Sequence, residues 1–179
     1  TTVAHKAPRP LPAGTAVGHN PTLHTPMTAC ILAEALLEAG LPAGLLSILH
    51  GGVEVAEWLL DEPAIRFYAF TGSTEAGRSI QQRAGLRRTQ MELGSIAHCI
   101  VCDDADLERA LPKIVNAAYR KAGQVCTSVQ VLLVQRSCVA EVERRLAAQV
   151  QALASGDPFA PHTVVGPVIS VASGQPIAG

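Results

Sequence analysis

From residue 16 to residue 94, short apolar runs alternate with segments of helical periodicity, the pattern of α/β construction. "AVGH" (16–19) predicts a short strand. Thr25-Pro26 opens a helix: threonine supplies the capping oxygen, and proline takes the first helical position, where a missing N–H costs nothing. The run "PMTACILAEALLEAG" carries good helix formers, stops at Gly40 and is barred from continuing by Pro42. "GLLSILHGG" (44–52) reads as a strand ending in a glycine turn, and "VEVAEWLLDEP" (53–63) as a helix closed by Pro63. A third strand, "AIRFYAFTG" (64–72), leads into a helix over 73–85, and "RTQMELG" (88–94) is the fourth strand. This β-α-β-α-β-α-β order implies a parallel, doubly wound sheet.

After Gly94 the rhythm loosens. "SIAHCIVCDDADLERALPKIVNAAYRKAGQVC" reads as a strand, an acidic turn and a long helix running toward Cys126. A strand over 129–137, a helix over 139–153 and the proline-rich loop "GDPFAPHTVVGPVIS" follow. With no internal repeat in view, the expected division is 1–94 and 95–179.

Composition narrows the class. The chain is 48% hydrophobic but only 3% aromatic, so its core must be aliphatic. A net charge of −1, without a basic run or a cluster of aromatics for base stacking, argues against nucleic-acid and membrane partners held by bulk charge. No apolar stretch approaches a membrane span, and no signal-peptide core precedes residue 16. Five cysteines is an odd number without framework spacing, and Cys99-x-x-Cys102 has no second pair for zinc. His19, His24, His50 and His98 show no ligand spacing either. No metal is expected, and a cytoplasmic, reducing compartment is the simplest home.

Three places carry candidate chemistry. Gly72, Ser73 and Thr74 stand where a strand turns into a helix, and a helix N-terminus offers free N–H groups to a phosphate. The same residues also suit an ordinary turn and N-cap, and they do not form G-x-G-x-x-G. Glu92 ends a strand, the end at which open α/β sheets bind ligands; it reads as a general base if buried, or as a surface glutamate. Cys126, in "GQVCTS", has small and polar neighbours on both sides. It reads as a nucleophile, or as one more buried thiol.

Four motifs in order, "NPTLHTP", "FTGSTEAG", "MELG" and "GQVCTS", resemble the aldehyde dehydrogenase superfamily. The likeness runs from about residue 10 to residue 170, and Glu92 and Cys126 lie 34 residues apart, the separation the family commonly keeps between base and nucleophile. The resemblance implies part of a doubly wound cofactor domain followed by part of a catalytic domain. It makes Cys126 the thiol that attacks the aldehyde carbonyl, its own N–H one oxyanion donor, and Glu92 the base that activates water for deacylation. Ser73 and the helix it begins, with Gly72 and Thr74, would hold the pyrophosphate of NAD or NADP. Leu93 and Gly94 would lie beside the nicotinamide.

The chain departs from the family at several points. Asn20 stands where the family usually shows a ribose-binding lysine; it still offers amide donors but no charge. Leu23 replaces a glutamate often found in NAD-preferring members, which leaves NADP open. Ser95 and Ile96 replace a glycine and a lysine. Family members are more than twice this length, so the chain is expected to be an internal piece of an enzyme that is homo-oligomeric when complete. Alone it is expected to be inactive toward its small-molecule aldehyde. The rival reading is a truncated or decayed homologue that binds a partner without catalysis. A cysteine hydrolase would need a Cys-His pair that the histidine positions do not suggest.

Overall fold

The structure is a computed structural model that describes residues 2–178. The chain divides at the Leu93–Gly94 bond into two compact units.

In the first unit, α1 (Thr2–Lys6) and a 3-10 turn (Leu11–Ala13) precede β1 (Val17–His19), α2 (Met27–Glu38), β2 (Leu46–Ile48), α3 (Val53–Asp61), β3 (Phe67–Thr71), α4 (Thr74–Ala84) and β4 (Arg88–Glu92). The alternation follows the apolar pattern. The first two segments were not foreseen, being too short for periodicity to register. β1 pairs in parallel with β2, Val17 opposite Leu46, and β3 with β4, Thr71 opposite Glu92. Hydrogen bonding runs within these pairs, and α2 and α4 lie on the crossovers that parallel neighbours require. α2 begins at Met27, a residue later than the capping pattern suggests. Pro26 flanks it with helical dihedrals (φ −72°, ψ −28°) and no side-chain cap bond. Proline's fixed φ starts the helix here.

Arg87 knits this unit together. Its guanidinium stacks over the Tyr68 ring at 4.9 Å, donates to the Tyr68 hydroxyl at 2.6 Å and to the Leu60 carbonyl at 2.8 Å. The residue that leads into β4, the first half of β3 and the end of α3 are thereby tied. A hollow lined by Arg66, Phe67, Ala84 and Leu86 opens at the N-terminal ends of β3 and β4, away from Glu92.

The second unit contains β5 (Ala97–Val101), α5 (Leu107–Tyr119), a 3-10 segment (Arg120–Gly123), β6 (Val129–Val134), a second 3-10 turn (Arg136–Cys138), α6 (Val139–Gln151) and α7 (Val171–Ala178). β5 and β6 pair in parallel. Val101, Leu111, Ile114 and Val142 form its buried core, with Cys99, Leu132, Val134 and Leu146 packed around them. Leu111, Ile114 and Val115 share one face of α5 at the i, i+3, i+4 spacing. Leu111 is wholly buried, a burial that stabilises by about 2 kcal/mol. Asp106 caps α5, its carboxylate accepting from the Arg109 amide. β6 is shorter than its apolar run because residues 136–138 coil into a 3-10 turn. The long helix expected to run toward Cys126 ends at Tyr119: Arg120 is extended (φ −54°, ψ 138°), and Lys121 and Ala122 are left-handed. Lysine and alanine favour helix intrinsically, so the surrounding fold overrides propensity here.

Candidate active site

At the carboxyl end of β3 the chain turns through Gly72 into α4. The Gly72 N–H donates to the Glu92 carbonyl at 3.1 Å, extending the β3–β4 ladder one step past Thr71. A Cβ at Gly72 would collide with the Phe70 ring, which explains the glycine by close approach. Ser73 (φ −68°, ψ 152°) caps α4, its Oγ accepting from the Ala76 N–H at 3.1 Å. The Thr74 and Glu75 amides precede the first intrahelical partners and stay open at the positive end of the helix. Those donors and the Ser73 hydroxyl proton suit a phosphate, so the residues fit the anionic part of a dinucleotide. Leu93 packs over Gly77 of α4, where a Cβ would strike its methyl carbons. Gly72, Ser73, Thr74, Glu92 and Leu93 therefore meet at one end of the β3–β4 pair.

Glu92 is exposed, so the first unit does not supply the burial that would suit a general base. Its charge acts on Lys6. The Lys6 ammonium donates to the Phe70 carbonyl at 2.7 Å. Burial pushes its pKa below the usual 10.5, and the Glu92 charge pushes back. Sequence reasoning missed Lys6. It sits in a mixed stretch just before Pro8 and Pro10 with no periodic signal, and only the fold brings it to β3.

Asn20 follows β1. Its amide nitrogen donates to the Leu49 carbonyl at 2.7 Å and the Gly51 carbonyl at 3.1 Å. Both amide protons are engaged by the turn after β2, and Oδ1 is left as an acceptor. Next to it on β1, the His19 Nε2 is buried without a partner among the described residues.

Gly94 and Cys126 belong to the second unit. Cys126 is exposed, so the buried-thiol reading does not apply. It occupies a tight turn in which the Ser128 N–H donates to the Val125 carbonyl at 2.9 Å, and Val125 N–H to the Gly123 carbonyl at 2.8 Å. Among the described residues, the Cys126 N–H has no acceptor. Arg120 reaches the Thr127 hydroxyl at 3.4 Å, bracing the far side of the turn. Ser128 is 2% exposed, and its Oγ has no partner among the described residues. The approach to this turn is strained: Lys121 and Ala122 both hold φ 54°, and Gly123 follows at φ 72°. No group of three His, Cys, Asp or Glu side chains gathers as a metal site among the described residues, and no described helix is long and apolar enough to cross a membrane.

Comparison with known proteins places the chain as a whole. The model of the aldehyde dehydrogenase family matches residues 1–178, and the chain belongs to that family. A curated 3-sulfolactaldehyde dehydrogenase from Priestia aryabhattai is 40% identical over 93% of the chain and 35% of its own length. The crystal structure of an aldehyde dehydrogenase from Brucella melitensis biovar abortus 2308 superposes with a TM-score of 0.94 at 35% identity, over 98% of this chain and 37% of that one. A Mycobacterium tuberculosis aldehyde dehydrogenase complexed with NAD+ gives 0.85 at 38% identity, over 88% of this chain and 33% of that one. The chain spans about a third of the length of the curated relatives it matches.

Proposed function

We propose that this chain carries the nucleophile, the deacylation base and the phosphate-holding turn of an enzyme that oxidises an aldehyde to a carboxylic acid with NAD or NADP. The observation that carries the reading is the exposed Cys126 on a braced turn with its own N–H unspent. Cys126 Sγ attacks the aldehyde carbon to give a thiohemiacetal. The oxygen that gains charge lies next to the Cys126 N–H, a donor of the kind worth about 3 kcal/mol in such sites. NAD(P)+, when bound, would supply the hydride-accepting chemistry. Glu92 takes a proton from the water that cleaves the resulting thioester on Cys126. Ser73 Oγ–H and the Thr74 and Glu75 amides would hold the pyrophosphate, Leu93 and Gly94 would border the nicotinamide, and Asn20 Oδ1 would accept from a ribose hydroxyl.

The five free cysteines support a reducing, cytoplasmic setting, and a homo-oligomeric complete enzyme belongs to the same proposal. The rival, a non-catalytic homologue that binds a partner, draws on the exposure of Glu92 and the engagement of the Asn20 amide.

An activated ester separates the two without any cofactor. With p-nitrophenyl acetate, peptide mapping is expected to find acetyl on Cys126 well before it appears on Cys102, the other exposed thiol. In Glu92→Gln the acetyl group is expected to persist about 10²-fold longer. Acetylation of Cys126 no faster than of Cys102 would overturn the enzymatic reading.

A further inference from the structure

Away from the β3–β4 end and from Cys126, a second thiol has a basic neighbour. Cys30 Sγ and His50 Nε2 lie 3.6 Å apart, within hydrogen-bond reach for sulfur. Cys30 is half-buried in the first turns of α2, and His50 is exposed in the turn that follows β2. The proposed oxidation uses neither residue. The turn that carries the imidazole is held on both sides, because the Asn20 amide binds the carbonyls of Leu49 and Gly51, the residues before and after His50. Gly51 packs closely on α3: a Cβ there would run into the Val55 side chain. A thiol within reach of an imidazole on a fixed backbone is the arrangement of a nucleophile and its base.

We infer that Cys30 and His50 form a second reactive centre, a site of covalent modification by small neutral α,β-unsaturated carbonyl compounds. The Cys30 sulfur bonds to the β-carbon as the carbon–carbon π bond breaks and its electron pair passes to the α-carbon. His50 Nε2 takes the thiol proton and returns it to that α-carbon. No oxidant or reductant enters, and the product is a thioether.

Neutral reagents are favoured by the charges near the pair. Glu34 lies one helical turn along α2 from Cys30. Glu54, whose carboxylate accepts from the Gly52 N–H at 2.9 Å, holds a negative charge just beyond the turn. Both carboxylates repel an anionic electrophile, while a neutral enone meets no such barrier.

The experiment uses the full chain carrying Cys126→Ser, so that its outcome is independent of the dehydrogenase reading. Limiting methyl vinyl ketone is added near neutral pH, and adducts are followed by intact mass and peptide mapping. Cys30 is expected to be alkylated about tenfold faster than Cys102, which is more exposed but has no imidazole partner among its hydrogen bonds. His50→Gln, a change at an exposed position whose fold is checked against the parent by circular dichroism, is expected to remove that advantage. Oxidised glutathione, an anionic electrophile, is expected to show no preference for Cys30. Alkylation of Cys30 at or below the rate of Cys102 overturns the proposal, as does an unchanged Cys30 rate in His50→Gln. A Cys30 preference that is equally strong with oxidised glutathione overturns the assignment to neutral reagents.

Discussion

The Lys6 ammonium donates a 2.7 Å hydrogen bond to the carbonyl oxygen of Phe70, 64 residues further along the chain. It ties the segment before β1 to the strand that leads into the anion turn. Burial lowers the Lys6 pKa from 10.5, so between the folded value and 10.5 the unfolded chain binds the proton more strongly. Stability rises with pH wherever the unfolded state holds more protons. Lys6 therefore costs stability at neutral pH, and that cost disappears as pH climbs toward 10.5. Urea unfolding of the parent and Lys6→Met, from neutral pH upward, should show the parent gaining on the variant through the alkaline range. A constant difference between the two curves would rule this out.

Ser73 serves two ends at once. Its Oγ accepts from the Ala76 N–H at 3.1 Å, so Ser73→Ala should cost about 1 kcal/mol in urea unfolding. The hydroxyl proton is not spent in that bond and is available to a phosphate. Titration with NAD+ and NADP+ should accordingly show weaker binding in Ser73→Ala than in Ser73→Thr, which keeps both the cap and the donor. Equal stability of the alanine variant and the parent would remove the capping assignment.

The loop before Cys126 stores backbone strain. Lys121 and Ala122 hold left-handed dihedrals (φ 54° at each), a region that costs a residue with a Cβ about 1–2 kcal/mol. Asparagine tolerates it better, so Lys121→Asn should raise stability by about 0.5–1 kcal/mol. Lys121 is exposed and its side chain donates no hydrogen bond among the described residues, so little else changes with it. A stability gain that leaves the Cys126 acetylation rate unaltered would show that the strain serves no purpose at the thiol. A gain with slower acetylation would show that the strain helps present it.

The parts of this fold that could be read from the sequence are those set locally. Ser73 announces its helix because a cap needs only residues three apart, and the parallel ladders follow from the strand–helix alternation. The candidate nucleophile came from motif order alone; Cys126 lies exposed on a turn. Lys6, the spent amide of Asn20 and the Cys30–His50 pair were not legible, because each depends on segments 20 or more residues apart meeting in space. The end of α5 at Tyr119 was hidden for the opposite reason: Lys121 and Ala122 favour helix locally, and the fold overrules them.

His19 offers the sharpest test of the first unit. Its Nε2 is buried with no partner among the described residues, and burial holds its pKa below the usual 6.5. The folded chain therefore resists protonation that the unfolded chain accepts freely. Above pH 6.5 neither state binds the proton and His19 adds no pH dependence. As pH falls from 6.5 toward the folded value, the unfolded state takes up the proton first and stability drops. Below the folded value the loss is complete. His19→Leu removes both the titration and the unpaired nitrogen while keeping an apolar body on β1. The variant should be more stable than the parent at neutral pH by about 1–2 kcal/mol, the cost of an unsatisfied buried polar atom. Its advantage should widen as pH is lowered through the range just below 6.5. Urea unfolding at a series of pH values measures both effects together, and a parent chain whose stability tracks the variant's through that range would show that His19 is hydrated or paired in solution.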